Sequence, residues 1–161
     1  MFKKVTNQAG FTLVEVLVVM IIIGILATLG LGSFQSSQQK ARDSRRKSEL
    51  NQITKALEVY FNDKGQYPVS SGDNKIQGCG DGTVTCDWGT IFEDDNNTVY
   101  MVELPNDPRS TQSYYYDSDG TVFRIYALLE NGLDPAIATY SATDCGPAAC
   151  NYGIASTNTT P

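Results

Sequence analysis

Setting aside an N-terminal apolar segment, a chain of 161 residues leaves about 130 for one compact domain, too few for two ordinary ones. The absence of histidine removes the side chain most used for acid-base catalysis near neutral pH and the commonest metal ligand. The net charge of -6 is uneven, with seven basic and four acidic residues over 32–64 against three and thirteen over 65–161, so the C-terminal part is a poor binder of nucleic acid.

The first element is the run from Phe11 to Leu31, in which Glu15 is the only charged residue. At 1.5 Å per residue it covers roughly the 30 Å hydrocarbon core of a bilayer. It exceeds the 7 to 15 residue apolar core usual in secretory signal peptides, and it contains a carboxylate. An ionisable group in a membrane segment costs on the order of 2.5 to 3.5 kcal/mol at the bilayer centre, so something must compensate Glu15. A free α-amine at Phe11, offered by a neighbouring helix after a cut just before that residue, would do so and would set the stagger between copies.

Lys3 and Lys4 followed by GFTLVEVLVVMIIIGILATLG (Gly10 to Gly30) resemble the prepilin signal of type IV pilins and type II secretion pseudopilins. The resemblance implies cleavage after Gly10 by a membrane-embedded prepilin peptidase, methylation of the new terminus at Phe11, and an assembly role for Glu15. It also implies a homo-oligomeric helical filament, built by an assembly ATPase and an inner-membrane platform. The five basic residues Lys40, Arg42, Arg45, Arg46 and Lys47 after the span outnumber the two before it, so positive-inside counting alone would leave the head in the cytoplasm. The leader resemblance and the cysteines place it outside.

Beyond the span, Leu50, Ile53, Leu57 and Tyr60 or Phe61 recur at helical spacing as one buried stripe. Gly65 and Pro68 give a stop signal, so one helix is expected from Phe11 to about Asp63, roughly 80 Å at 1.5 Å per residue. Gly24, Gly30 and Gly32 interrupt its apolar half as close-packing points or as sites of local melting on assembly. The basic stretch Lys40 to Lys47 is expected to face carboxylates on neighbouring heads, because complementary charges confer specificity.

In the head, YFNDKGQYP (Tyr60 to Pro68) and LPNDPRSTQSYYYDSDGTVFRIYALLENG (Leu104 to Gly132) resemble minimal pilins. SYYYD and TVFRIYALLE are strand-like runs separated by a turn at Ser118, Asp119 and Gly120. Ser70 to Asn97, rich in Gly, Asp and Asn, reads as an exposed variable loop, and Ser156 to Pro161 as a mobile polar tail. The four cysteines, Cys79, Cys86, Cys145 and Cys150, read as two disulfides of an oxidising compartment, with three pairings open. Cys79 with Cys86 would staple a turn, and Cys145 with Cys150 would close a loop around Pro147. Asp117 and Asp119 are weak calcium candidates, because the full loop pattern with its distal glutamate is missing and a plain turn explains them; no other cofactor is implied.

The expected fold is α+β: a long N-terminal α-helix, its apolar first half protruding and its amphipathic second half packed on an antiparallel sheet of three to four strands. The segments are a cleaved leader (1–10), a transmembrane and filament-core half-helix (11–34), an amphipathic half-helix (35–64) and a globular head (65–161). No nucleophile with a base, no GxxxxGK[ST] loop and no CxxC pair occurs, so the chain reads as a structural protein and not an enzyme. The main reading is the major subunit of a type IV pilus, serving adhesion or twitching motility, held in the inner membrane as a precursor and then displayed at the cell surface. The lack of the tryptophan-containing ending of major pseudopilins favours it. The alternatives are a type II secretion pseudopilin, a minor or DNA-uptake pilin, and a membrane-anchored binding domain that never polymerises.

Overall fold

A computed structural model of the chain describes residues 10–140 and 143–161, and gives only the backbone path for residues 29–33. Lys3, Lys4 and the rest of the leader up to Ala9, together with the surroundings of Gly30 and Gly32, lie outside the described residues.

One helix, α1 (Leu13–Lys64), carries the N-terminal part of the chain. Its sequence holds no proline and few β-branched residues beyond the apolar run, so nothing interrupts the backbone ladder. It ends where Gly65 adopts φ +73° and its N–H bonds the carbonyl of Phe61 at 2.8 Å. This left-handed position is one that glycine takes without the steric cost of a Cβ. The observed end is within a residue of the expected one, and the start lies two residues later than Phe11.

Contacts divide the chain into two units, residues 1–38 and 39–161. In the first, the apolar side chains from Leu13 to Leu26 are exposed on every side, from Val18 at 47 % to Leu13 at 81 %. A helix that is apolar all round needs lipid or other helices to cover it. Among the described residues no helix is both long and apolar enough to cross a membrane; their part of the apolar run stops at Thr28.

In the second unit the amphipathic end of α1 meets eight short strands. These are β1 (Val69–Ser70), β2 (Ile76–Cys79), β3 (Val84–Thr85), β4 (Phe92–Glu93), β5 (Val99–Met101), β6 (Tyr115–Ser118), β7 (Phe123–Ala127) and β8 (Tyr152–Ala155). They form sheets ordered β1-β2-β3, β4-β5 and β6-β7-β8, antiparallel throughout. The expected hairpin is present as β6 and β7, with Tyr116 opposite Ile125 and Ser118 opposite Phe123. Gly120, at φ +91°, turns the chain between them.

The stripe expected on the helix is the floor of the core. Leu50, Ile53 and Leu57 are fully buried and Tyr60 nearly so, whereas Phe61 stays 37 % exposed. Against them pack Phe92, Leu104, Tyr116, Phe123 and Ile125. Full burial of each such side chain stabilises the fold by about 1.5 to 3 kcal/mol.

Two expectations change. Residues 70–97 are not a bare loop: they contain β2, β3 and β4 and send Ile76, Cys86 and Phe92 into the core. Their Gly and Asp residues supply turns between strands too short to read as alternating runs. The C-terminal tail is likewise tied down, since β8 pairs with β7, Ser156 is buried, and Arg124 donates to the Thr160 carbonyl and to Thr159 Oγ1, both at 3.0 Å.

Candidate functional site

The N-terminal motif begins the helix. Thr12 is the capping residue: Glu15 N–H donates to Thr12 Oγ1, while the N–H and hydroxyl of Thr12 donate to Glu15 Oε2, each at 3.3 Å. This reciprocal capping box satisfies two backbone donors that a helix start otherwise leaves free. The carboxylate also sits in the first turn, where the helix dipole favours negative charge. Glu15 therefore has a local role within its own chain beside the intermolecular one expected of it. The T-x-x-E spacing that announces the box is readable in the sequence, and Thr12 is a residue the sequence reading passed over.

Phe11 is 85 % exposed, and a Cβ added at Gly10 or Gly24 would meet nothing within 4 Å. Among the described residues nothing packs against position 24 closely enough to require glycine there.

The basic stem is arranged differently from the expectation that it faces neighbouring heads. Arg46 has no solvent-exposed surface. It donates to both carboxylate oxygens of Asp107 at 2.7 and 2.8 Å, to Asp43 at 2.8 Å, to Glu130 at 2.9 Å and to Gln112 at 2.7 Å. Arg42 forks onto Glu130 at 2.6 and 2.7 Å, and Lys47 bonds Asp134 at 2.7 Å. Asp43 in turn accepts the backbone N–H groups of Glu130 and Asn131 at 2.9 and 2.8 Å. Tyr114 donates its hydroxyl to the buried Glu49. These charges clasp the chain segments around Asp107 and Glu130 to the helix of the same head. Lys40 and Arg45, whose side chain is 64 % exposed while pairing with Glu49, remain at the surface. Nothing local in the sequence announces Asp107 or Glu130 as partners, since they lie 61 and 84 residues from Arg46.

The electrostatics follow from this geometry. The hydrogen bond from Arg42 holds the Glu130 carboxyl at about 2, against the opposing effect of burial and with help from Arg46. Burial disfavours the Arg46 cation, yet its bonds to Asp107, Glu130 and Asp43 raise its pKa overall. Burial and the bond to Glu49 push the Tyr114 hydroxyl well above the usual range.

The cysteines pair as Cys79–Cys86 and Cys145–Cys150. The first bridge staples β2 to the end of β3, and the second closes the loop around Pro147. Asp119 is spent on its turn: its Oδ1 accepts from Thr121 N at 2.9 Å, Thr121 Oγ1 at 2.6 Å and Val122 N at 3.2 Å, and these bonds, the Thr121 hydroxyl first, lower its pKa to about 2. Asp117 faces Arg124 at 3.5 Å. Among the described residues no group of three or more acidic or cysteine side chains stands where it would hold a metal.

Residues 5–31 match the family model described as the prokaryotic N-terminal methylation motif. The chain is 31 % identical over 137 residues to type II secretion system core protein G of Escherichia coli, covering 85 % of this chain and 90 % of that one. It is 33 % identical over 131 residues to the protein of the same name from Pseudomonas aeruginosa, covering 80 % and 87 %. The match to that of Aeromonas hydrophila, 38 % over 64 residues, covers 40 % of this chain and 45 % of the relative. No solved structure matches. With a methylation motif at its start, a long helix under small antiparallel sheets, and relatives aligned over most of its length, the chain belongs to the type IV pilin and type II secretion pseudopilin family.

Proposed function

We propose that the chain is a pseudopilin, a structural subunit of the filament of a type II secretion system. The observation that carries this reading is the similarity to core protein G along more than four fifths of the chain. It favours the secretion reading over the major pilin of a surface pilus, which the sequence taken alone had put first. The chain is cut after Gly10 and methylated at Phe11, and it waits in the inner membrane with its head outside the cytoplasm. The exposed apolar side chains of residues 13–26 then move from lipid to the helices of neighbouring copies, with Gly24, Gly30 and Gly32 allowing close approach. Glu15, capped within its own chain by Thr12, meets the Phe11 amine of the next subunit. The prepilin peptidase, an assembly ATPase and a membrane platform are the partners this role requires.

Cells lacking the chain should fail to release folded exoproteins into the medium while retaining sheared surface pili. Loss of pili with intact secretion would refute the pseudopilin reading in favour of a pilus subunit. The purified chain should begin at a methylated Phe11 by intact mass and terminal sequencing; a chain still beginning at Met1 would mark a non-polymerising anchored domain. Glu15→Ala should be processed normally yet enter filaments poorly.

A further inference from the structure

The turn joining β4 to β5 carries Asn96-Asn97-Thr98, an N-x-T acceptor sequence with no proline in its middle, the signature of asparagine glycosylation on surface loops of exported proteins. A second such triplet, Asn158-Thr159-Thr160, lies near the C-terminus. The two differ in what holds them. Asn158 accepts a hydrogen bond from the buried Ser156 hydroxyl at 2.8 Å, and its neighbour Thr159 receives Arg124 at 3.0 Å, so that triplet is fastened to β7. Asn96 is at the tip of a hairpin in which residues 95–98 are all exposed. Its carboxamide nitrogen bonds the equally exposed Asp95 at 3.2 Å. The tip keeps its shape through the backbone: Asp94 Oδ1 accepts the N–H groups of Asn96 at 3.0 Å and Thr98 at 2.8 Å, and Asn97 adopts φ +60°. A group attached at Asn96 Nδ2 would thus displace no core contact and break no bond that shapes the turn.

We propose that Asn96 is an N-glycosylation site, and that its substrate is a membrane-carried oligosaccharide linked through its anomeric carbon to a polyprenyl pyrophosphate. A membrane oligosaccharyltransferase would bind the triplet. Asn96 Nδ2 forms the bond to the anomeric carbon as the bond from that carbon to the pyrophosphate oxygen breaks. The lipid pyrophosphate leaves with the electron pair and the amide nitrogen loses one proton, with no change of oxidation state. On a filament subunit the sugar would sit on the acidic lobe built from β2 to β5. The inference rests on the proposed function only in requiring an exported head.

The test is intact mass and peptide mapping of the full-length chain recovered from the cells that make it, alongside Asn96→Gln, Thr98→Ala, Thr98→Ser and Asn158→Gln. The expected result is an oligosaccharide mass increment on the peptide containing Asn96, lost in Asn96→Gln and Thr98→Ala and kept in Thr98→Ser and Asn158→Gln. An unmodified mass, or an increment that survives Asn96→Gln, would overturn the assignment. The same spectrum, taken with and without reduction, shows whether both disulfides have formed. Oxidised cysteines without a sugar would therefore sink the glycosylation inference while leaving the exported head intact, and reduced cysteines would sink both.

Discussion

Replacing Arg46 by methionine is the sharpest perturbation of the head that the structure offers. The guanidinium is fully buried and is shared among Asp107, Asp43, Glu130 and Gln112, so its removal strands carboxylates that water cannot reach. Breaking a buried ion pair from one side costs about 3 to 5 kcal/mol. At about 3 to 5 °C per kcal/mol for a head of this size, the thermal midpoint should fall by about 10 to 25 °C. Arg45→Gln, one position earlier, keeps a polar side chain at a position that is 64 % exposed and loses only the pair with Glu49 four residues on; i,i+4 helix pairs contribute about 0.3 to 0.5 kcal/mol. The assay is circular dichroism of the detergent-solubilised, oxidised full chain, followed on heating, for the wild type and both variants. An Arg46→Met midpoint within about 2 °C of the wild type would refute the clasp. A fall in Arg45→Gln as large as in Arg46→Met would show that net stem charge matters and the buried geometry does not.

The low pKa of Glu130, about 2 and set chiefly by the Arg42 bond, gives stability that is fully present above the unfolded value near 4.5 and is lost as pH falls toward 2. Urea midpoints should hold down to about pH 4.5 and drop below it, and Glu130→Gln should flatten that drop. At the alkaline end, Tyr67 and Tyr100, each pushed up to about 12 chiefly by burial, favour the folded state below pH 10, and that advantage should fade between about pH 10 and 12 as seen by tyrosine absorbance. Gly146→Ala should destabilise the head by about 1 to 3 kcal/mol in a urea melt, because Gly146 sits at φ +111° and a Cβ there would clash with the Thr111 carbonyl. Replacing both Cys145 and Cys150 by serine should cost about 2 kcal/mol, the entropy of opening a short loop; a change below about 0.5 kcal/mol would argue against the bridge.

The N-terminal half was legible from sequence because its determinants are local. A long apolar run, a helical stripe at Leu50, Ile53 and Leu57, and a stop at Gly65 each act through neighbours within a few turns; the threonine cap three residues before Glu15 is equally local but went unread. The hairpin of β6 and β7 was readable for the same reason, since its aromatic runs flank Asp119 and Gly120. The disulfide-stapled lobe was not: β2 to β5 are two to four residues long, too short for alternation to rise above the Gly and Asp background. β8 was missed because it becomes a strand only by pairing with β7, more than twenty residues away.

The charged stem divides the two kinds of information most clearly. Sequence determined that Lys40 to Lys47 is basic and that the remainder of the head is acidic, hence that the two would attract. Only the tertiary structure decided that the partners of Arg42, Arg46 and Lys47 are carboxylates of the same head. Chain topology carries Asp107, Glu130 and Asp134 back to the helix, and a charge removed from water must find its partners within hydrogen-bonding distance, whatever their separation along the chain.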